Sequence, residues 1–139
     1  MMEYYVIDAF ADRVFSGNPA AVLLPERELP EDTMRSIAME NNLSETAFAV
    51  KNGEGYDLRW FTPGGEIDLC GHATLAAAYV ILNFQEPDLR EVSFQTKSGP
   101  LTVRREGELY QMDLPALRPV PCPITPQLAD ALGVTPVEV

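Results

Sequence analysis

Histidine occurs once in these 139 residues, cysteine twice, and lysine plus arginine only ten times. Each scarcity removes a class of function. A lone histidine, His72, cannot build a multi-histidine metal centre, and Cys70 with Cys122 lacks the spacing of a zinc site. Two cysteines are also too few for a disulfide framework, so reduced thiols are expected. The ten cations face 21 aspartates and glutamates, a formal charge of −11. A field of that sign repels nucleic-acid phosphates and anionic lipid. No apolar run reaches the ~18–20 residues of a membrane span. Glu3 stands where a secretory leader would carry basic residues. A cytoplasmic protein with neither nucleic acid nor membrane as partner is the expectation. Repeats and low-complexity tracts are missing too, which excludes a solenoid.

What is present reads as one globular domain, since 46% apolar and 22% charged residues suffice to bury a core without staples. Tyr4 to Phe10 is aromatic and β-branched on both alternate faces and predicts a strand buried on both sides. Ser16-Gly17-Asn18-Pro19 marks a turn, and residues 20–24 a second strand. Glu31-Asp32 open a helix that runs to about Asn42, where the two asparagines tolerate left-handed backbone. Thr46 to Lys51 and Tyr56 to Thr62 pair as strands across Asn52-Gly53-Glu54-Gly55, with Pro63 to Glu66 as a loop. Residues 72 to 84 form a helix apolar nearly all round, so it should be encased, with alanines that let strands approach. Strands are expected at 92–96, 101–105 and 109–114. From Pro115 the prolines multiply and predict a stiff connector, followed by a short helix from Gln127 to Leu132 stopped by Gly133. The division is a domain over 1–116 and a linker over 117–139 that opens something further. The other reading is a helix folded back on the same core.

Three places could carry chemistry. Glu45 sits between a helix end and a strand start, where a rigid scaffold aims side chains; partial burial there would fit it for proton transfer near neutral pH. The alternative is a solvated surface acid. Cys70-Gly71-His72 begins the encased helix, whose free N–H groups suit a carboxylate ligand. The same potential should favour neutral imidazole at His72 and thiolate at Cys70, and Gly71 would admit a ligand to the backbone. The plain alternative is a capping histidine and a core cysteine. Asn18 offers an amide at a turn, although Asn-Pro is common in turns for its own sake. Pro63 to Glu66 has neither the Lys-Ser/Thr of a P-loop nor a Rossmann spacing.

Taken in order, five blocks resemble the phenazine-biosynthesis isomerase (PhzF-like) family: residues 6–10, 15–22, 42–48 (Asn-Leu-Ser-Glu-Thr-Ala-Phe), 58–63, and 66–76 with its Cys-Gly-His. The resemblance runs over about residues 3 to 133. It implies an α/β (α+β) fold of the diaminopimelate-epimerase type, a curved mixed sheet or barrel wrapped round a central helix. It also implies two such domains per protein, with the active site in the cleft between them, of which this chain holds the first. On that likeness Glu45 is the general acid/base. His72, Gly71, Asn18, Ser44 and Cys70 lie at the substrate, a small carboxylic acid, dihydroaromatic or amino. A catalytic aspartate and a glycine-rich loop would come from the second domain. No cofactor and no metal is implied, and homodimers or self-association through the exposed cleft face are expected. Related racemases place a catalytic cysteine at the position of Cys70, so a two-thiol racemase is the competing enzyme. A binding or assembly domain without catalysis is the competing class.

Overall fold

In a computed structural model the structure describes residues 2–13, 15–116 and 118–137. Eight strands and three α-helices follow one another as β1 (Glu3–Ala9), β2 (Asn18–Leu24), α1 (Glu31–Asn41), β3 (Glu45–Asn52), β4 (Gly55–Thr62), β5 (Gly65–Ile67), α2 (Gly71–Val80), β6 (Glu91–Thr96), β7 (Gly99–Glu106), β8 (Leu109–Met112) and α3 (Pro126–Leu132). All eight strands form one mixed sheet in the order β1-β2-β3-β4-β6-β7-β8, with β5 hairpinned onto β4. Two pairings are parallel, β2 with β3 and β4 with β6. The sheet curls into a half-barrel whose two edge strands, β1 and β8, both touch α2.

Alternation along the central strands sends their side chains into two cores. Ala20, Val22, Ala47, Ala49, Leu58 and Trp60 face α2, together with Phe94, Leu101 and Val103. Ala21, Leu23, Phe48 and Phe61 face the other way, onto Met34 and Ala38 of α1. Period-two alternation is what lets one strand serve both layers. Ala73, Ala76, Ala77 and Ala78 of α2 are fully enclosed. Their small side chains allow the sheet to wrap the helix closely. Burying Trp60, Phe48, Phe61 and Phe94 contributes roughly 1.5–3 kcal/mol each before entropy is charged against it.

The expected curved sheet around an encased helix is therefore what forms, with differences in detail. The strand buried on both faces is β2, not β1. β1 is an edge whose Tyr4 and Val6 face solvent while Tyr5 and Ile7 pack inward. Phe10 lies beyond β1, left-handed at φ 58° and exposed. Gly65 and Glu66, expected in a loop, pair with Thr62 and Phe61 in β5. The encased helix starts one residue earlier than expected and loosens into a π turn over Ile81–Gln85, capped by Arg105 on the Leu82 carbonyl. β8 stops at Met112, short of Pro115.

Asn42 caps α1 in left-handed geometry (φ 50°), as its side chain predicted. After β8 the described residues up to Thr125 form no regular element and are exposed. Thr125 then caps α3, its hydroxyl accepting from the Leu128 N–H at 3.2 Å. α3 contributes no buried residue. Leu117 and the last two residues of the expected linker lie outside the described residues. Among those described, no helix is long and apolar enough to cross a membrane.

Candidate active site

The parallel register of β2 and β3 sets Ala20 opposite Glu45, which brings Asn18, at the start of β2, beside Ser44. The left-handed turn at Asn42 directs the chain from α1 into β3. Asn41 holds that turn from below, its amide donating to the Thr46 hydroxyl at 3.1 Å and its carbonyl accepting from Tyr4 at 3.3 Å. The amino end of α2 meets the same place. Cys70 is its extended cap residue, and no side chain caps its first turn.

Here the chemistry-bearing groups converge. Glu45 Oε2 lies 3.1 Å from His72 Nε2, with the glutamate side chain 16% exposed and the histidine's 9%. That oxygen is enclosed, and its approach to the ring nitrogen is close without the alignment of a good hydrogen bond. The Ser44 hydroxyl lies 3.3 Å from the same Nε2 and donates to Asn18 Oδ1 at 3.5 Å. On the far side of the ring, Cys70 Sγ is 3.3 Å from Nδ1. Asn18, Ser44, Glu45, Cys70 and His72, all singled out from sequence, thus stand within contact distance of one another, with Gly71 between the last two.

Two expectations need adjustment. The helix end was expected to make Cys70 a thiolate, but burial pushes its thiol up to about 11. The N–H groups of Ala73 and His72 oppose that shift, while the Glu45 carboxylate adds to it. Desolvation of the sulfur outweighs the helix terminus. Gly71 has ordinary backbone geometry, and a Cβ there would meet only the Met112 methyl at 3.6 Å. The chain's own packing does not require glycine at that point.

Sequence reasoning overlooked the supporting layer: Asn41, Thr46 and Tyr4 behind the Glu45 turn, and Met112 beside Gly71. Only the asparagine pair after α1 hinted at the first, and nothing local hinted at Met112. Away from this group, a second polar cluster also escaped notice. Arg59 donates to both Glu66 oxygens (2.7 and 2.8 Å) and to Glu28 (2.6 Å), and Lys97 joins Glu66. Its cations are consumed by carboxylates, so it reads as a brace between β4 and β5.

Comparison with known proteins gives the family and the fold. The family model described as phenazine biosynthesis-like protein matches residues 7–130. An uncharacterised isomerase of Pseudomonas aeruginosa is 50% identical over 135 residues, 97% of this chain and 52% of its own. A human phenazine biosynthesis-like domain-containing protein is 46% identical over 119 residues, 80% of this chain and 41% of its own. The crystal structure of a phenazine biosynthesis protein of the PhzF family from Enterococcus faecalis superposes with a TM-score of 0.84 at 53% identity, over 97% of this chain and 52% of that one. A predicted epimerase from Pseudomonas aeruginosa shares the fold at a TM-score of 0.67 and 25% identity, over 77% of this chain and 40% of that one. The chain spans about half the length of the curated bacterial relatives it matches.

Proposed function

The chain belongs to the phenazine biosynthesis-like protein family, and from that premise we propose that it carries the acid/base half of a cofactor-independent isomerase acting on a small carboxylic acid. The observation that carries the reading is the 3.1 Å approach of Glu45 Oε2 to His72 Nε2 at the uncapped amino end of α2. Glu45, enclosed and without an aligned donor, takes a proton from an acidified carbon of the bound acid and returns it to another carbon. His72, itself met by the Ser44 hydroxyl, orients that carboxylate. The substrate carboxylate lies against the first turn of α2 at Gly71, where the helix end favours an anion. Conjugation in a dihydroaromatic or amino acid substrate spreads the charge that develops. One base serving two carbons gives isomerisation rather than hydrolysis.

Residues 1–116 form the domain that holds this half of the cleft, and 117–139 lead toward a second body that completes it. Orientation of the substrate needs both halves, so full rates belong to the completed cleft. A cytoplasmic location fits the acidic charge and reduced thiols. The raised Cys70 thiol does not suit the base of the two-thiol racemase, and the Ser44-Glu45-Thr46 block favours glutamate chemistry over it.

The test is deuterium exchange of small dihydroaromatic and amino acids in D₂O, followed by NMR. Glu45→Gln is expected to lower exchange by about 10²–10⁴-fold. Loss in Cys70→Ser with full exchange in Glu45→Gln would turn the reading to the racemase, and no exchange at all would leave a binding or assembly domain.

A further inference from the structure

We infer that Glu45, Cys70 and His72 also form a binding site for one soft divalent cation, zinc by its chemistry, which closes the proton-transfer centre when bound. One ligand atom from each of the three lies within 4.8 Å of the other two. Tetrahedral zinc, with bonds of about 2.0–2.3 Å, spaces its ligand atoms roughly 3.3–3.7 Å apart, so the trio must draw in by about an ångström. Two approaches are already close, sulfur to Nδ1 at 3.3 Å and Oε2 to Nε2 at 3.1 Å. They fall on opposite ring nitrogens, so rotation of the imidazole or the Glu45 carboxylate has to bring sulfur and oxygen to one nitrogen.

A second observation points to a cation. Glu45 Oε2 is enclosed and makes no hydrogen bond of good geometry, although the His72 ring nitrogen stands 3.1 Å away and the Cys70 thiol also meets the carboxylate. A buried acceptor in that state needs an explanation, and an ion held among these three groups supplies one. One sulfur, one imidazole nitrogen and one carboxylate oxygen make a donor set that suits zinc and not calcium or magnesium, which prefer oxygen alone. A water fills the fourth position. On binding, the Cys70 S–H bond breaks, a sulfur–zinc bond forms and the proton leaves to solvent. The imidazole and carboxylate each give a lone pair, and nothing is oxidised or reduced. Binding stands independently of the proposed function. Closure of the centre rests on it, because the lone pair that would take the substrate proton is then held by the metal.

Cobalt(II), titrated into the reduced 139-residue chain without oxygen, is the probe. The expected result is saturation at one equivalent, with a thiolate-to-cobalt charge-transfer band and the intense visible bands of a tetrahedral ion, both bleached by one equivalent of zinc. The charge-transfer band should vanish in Cys70→Ala and persist in Cys122→Ser. Should the first variant misfold by circular dichroism, Glu45→Gln decides, since it keeps the volume and should weaken binding. No saturable bands, bands lost in Cys122→Ser, or an unchanged titration in Glu45→Gln would each overturn the site. Where a preparation exchanges deuterium, one equivalent of zinc should abolish exchange and EDTA restore it; exchange that persists with zinc bound overturns the closure alone. A preparation with no exchange leaves the cobalt spectra to decide the site without reference to catalysis.

Discussion

Cys70 has neighbours that pull its proton both ways. Two N–H groups at the start of α2 favour the anion, yet burial and the Glu45 carboxylate hold the thiol near 11. At about pH 8 a group of that pKa is only ~0.1% thiolate, and the thiolate is the reactive species. Iodoacetamide at that pH should therefore add one label per chain, at the exposed Cys122 and not at the buried Cys70. Peptide mass spectrometry reads the position, and equal labelling of both cysteines would show that burial does not govern the sulfur. The shift also has a stability sign. A folded thiol pKa of about 11 above an ordinary 9.0 favours the fold below about 9, and that contribution fades as pH rises toward 11. The pairing of Cys70 with His72 was legible as a motif, because adjacent residues at a helix start must share one end. Its electrostatics were not, because burial is a property of the whole fold.

At the scale of elements, α2 and the β4–β5 hairpin make the firmest demands. Ala77 has no exposed surface and faces the concave core. Ala77→Leu forces three further carbons into a closed space and should cost about 1–3 kcal/mol, read as a lower urea midpoint with an unchanged slope. The hairpin is held by the Arg59–Glu66 fork, whose bonds keep the Glu66 carboxyl down at about 2. A folded pKa below the ordinary 4.5 stabilises the fold above that value, and the benefit is lost as pH falls from about 4.5 to about 2. Glu66→Gln should lower stability at neutral pH and flatten the pH dependence of the urea midpoint within that window.

Neither Glu66 nor its strand could be read from the sequence. Gly65 adopts φ 138°, outside the range that marks strands in side-chain patterns, and Arg59 reaches Glu66 only because Phe61 pairs with it. The long apolar helix was readable because its composition alone demands enclosure. The depth of β1 was not. Tyr4 and Val6 look like core, and only the sheet order makes them an edge.

The whole molecule sets apolar exposure against charge. The loop from β1 to β2 meets the site at Asn18 and leaves Phe10 74% exposed and Phe15 fully so. Aromatic groups so exposed favour association, here with another copy. Each copy carries −11 formal charge, so approach is opposed by repulsion. Salt shortens that repulsion, to a Debye length of about 4–5 Å at ~0.5 M against roughly 20 Å at ~0.02 M, while leaving apolar contact intact. Sedimentation equilibrium should therefore find the average mass rising with protein concentration, and rising further at the higher salt. Phe10→Ser with Phe15→Ser should return the protein to monomer at both. Association that instead weakens with salt would mean charged pairs hold the copies together. A monomer at every concentration would mean these aromatics are covered by nothing the chain itself provides.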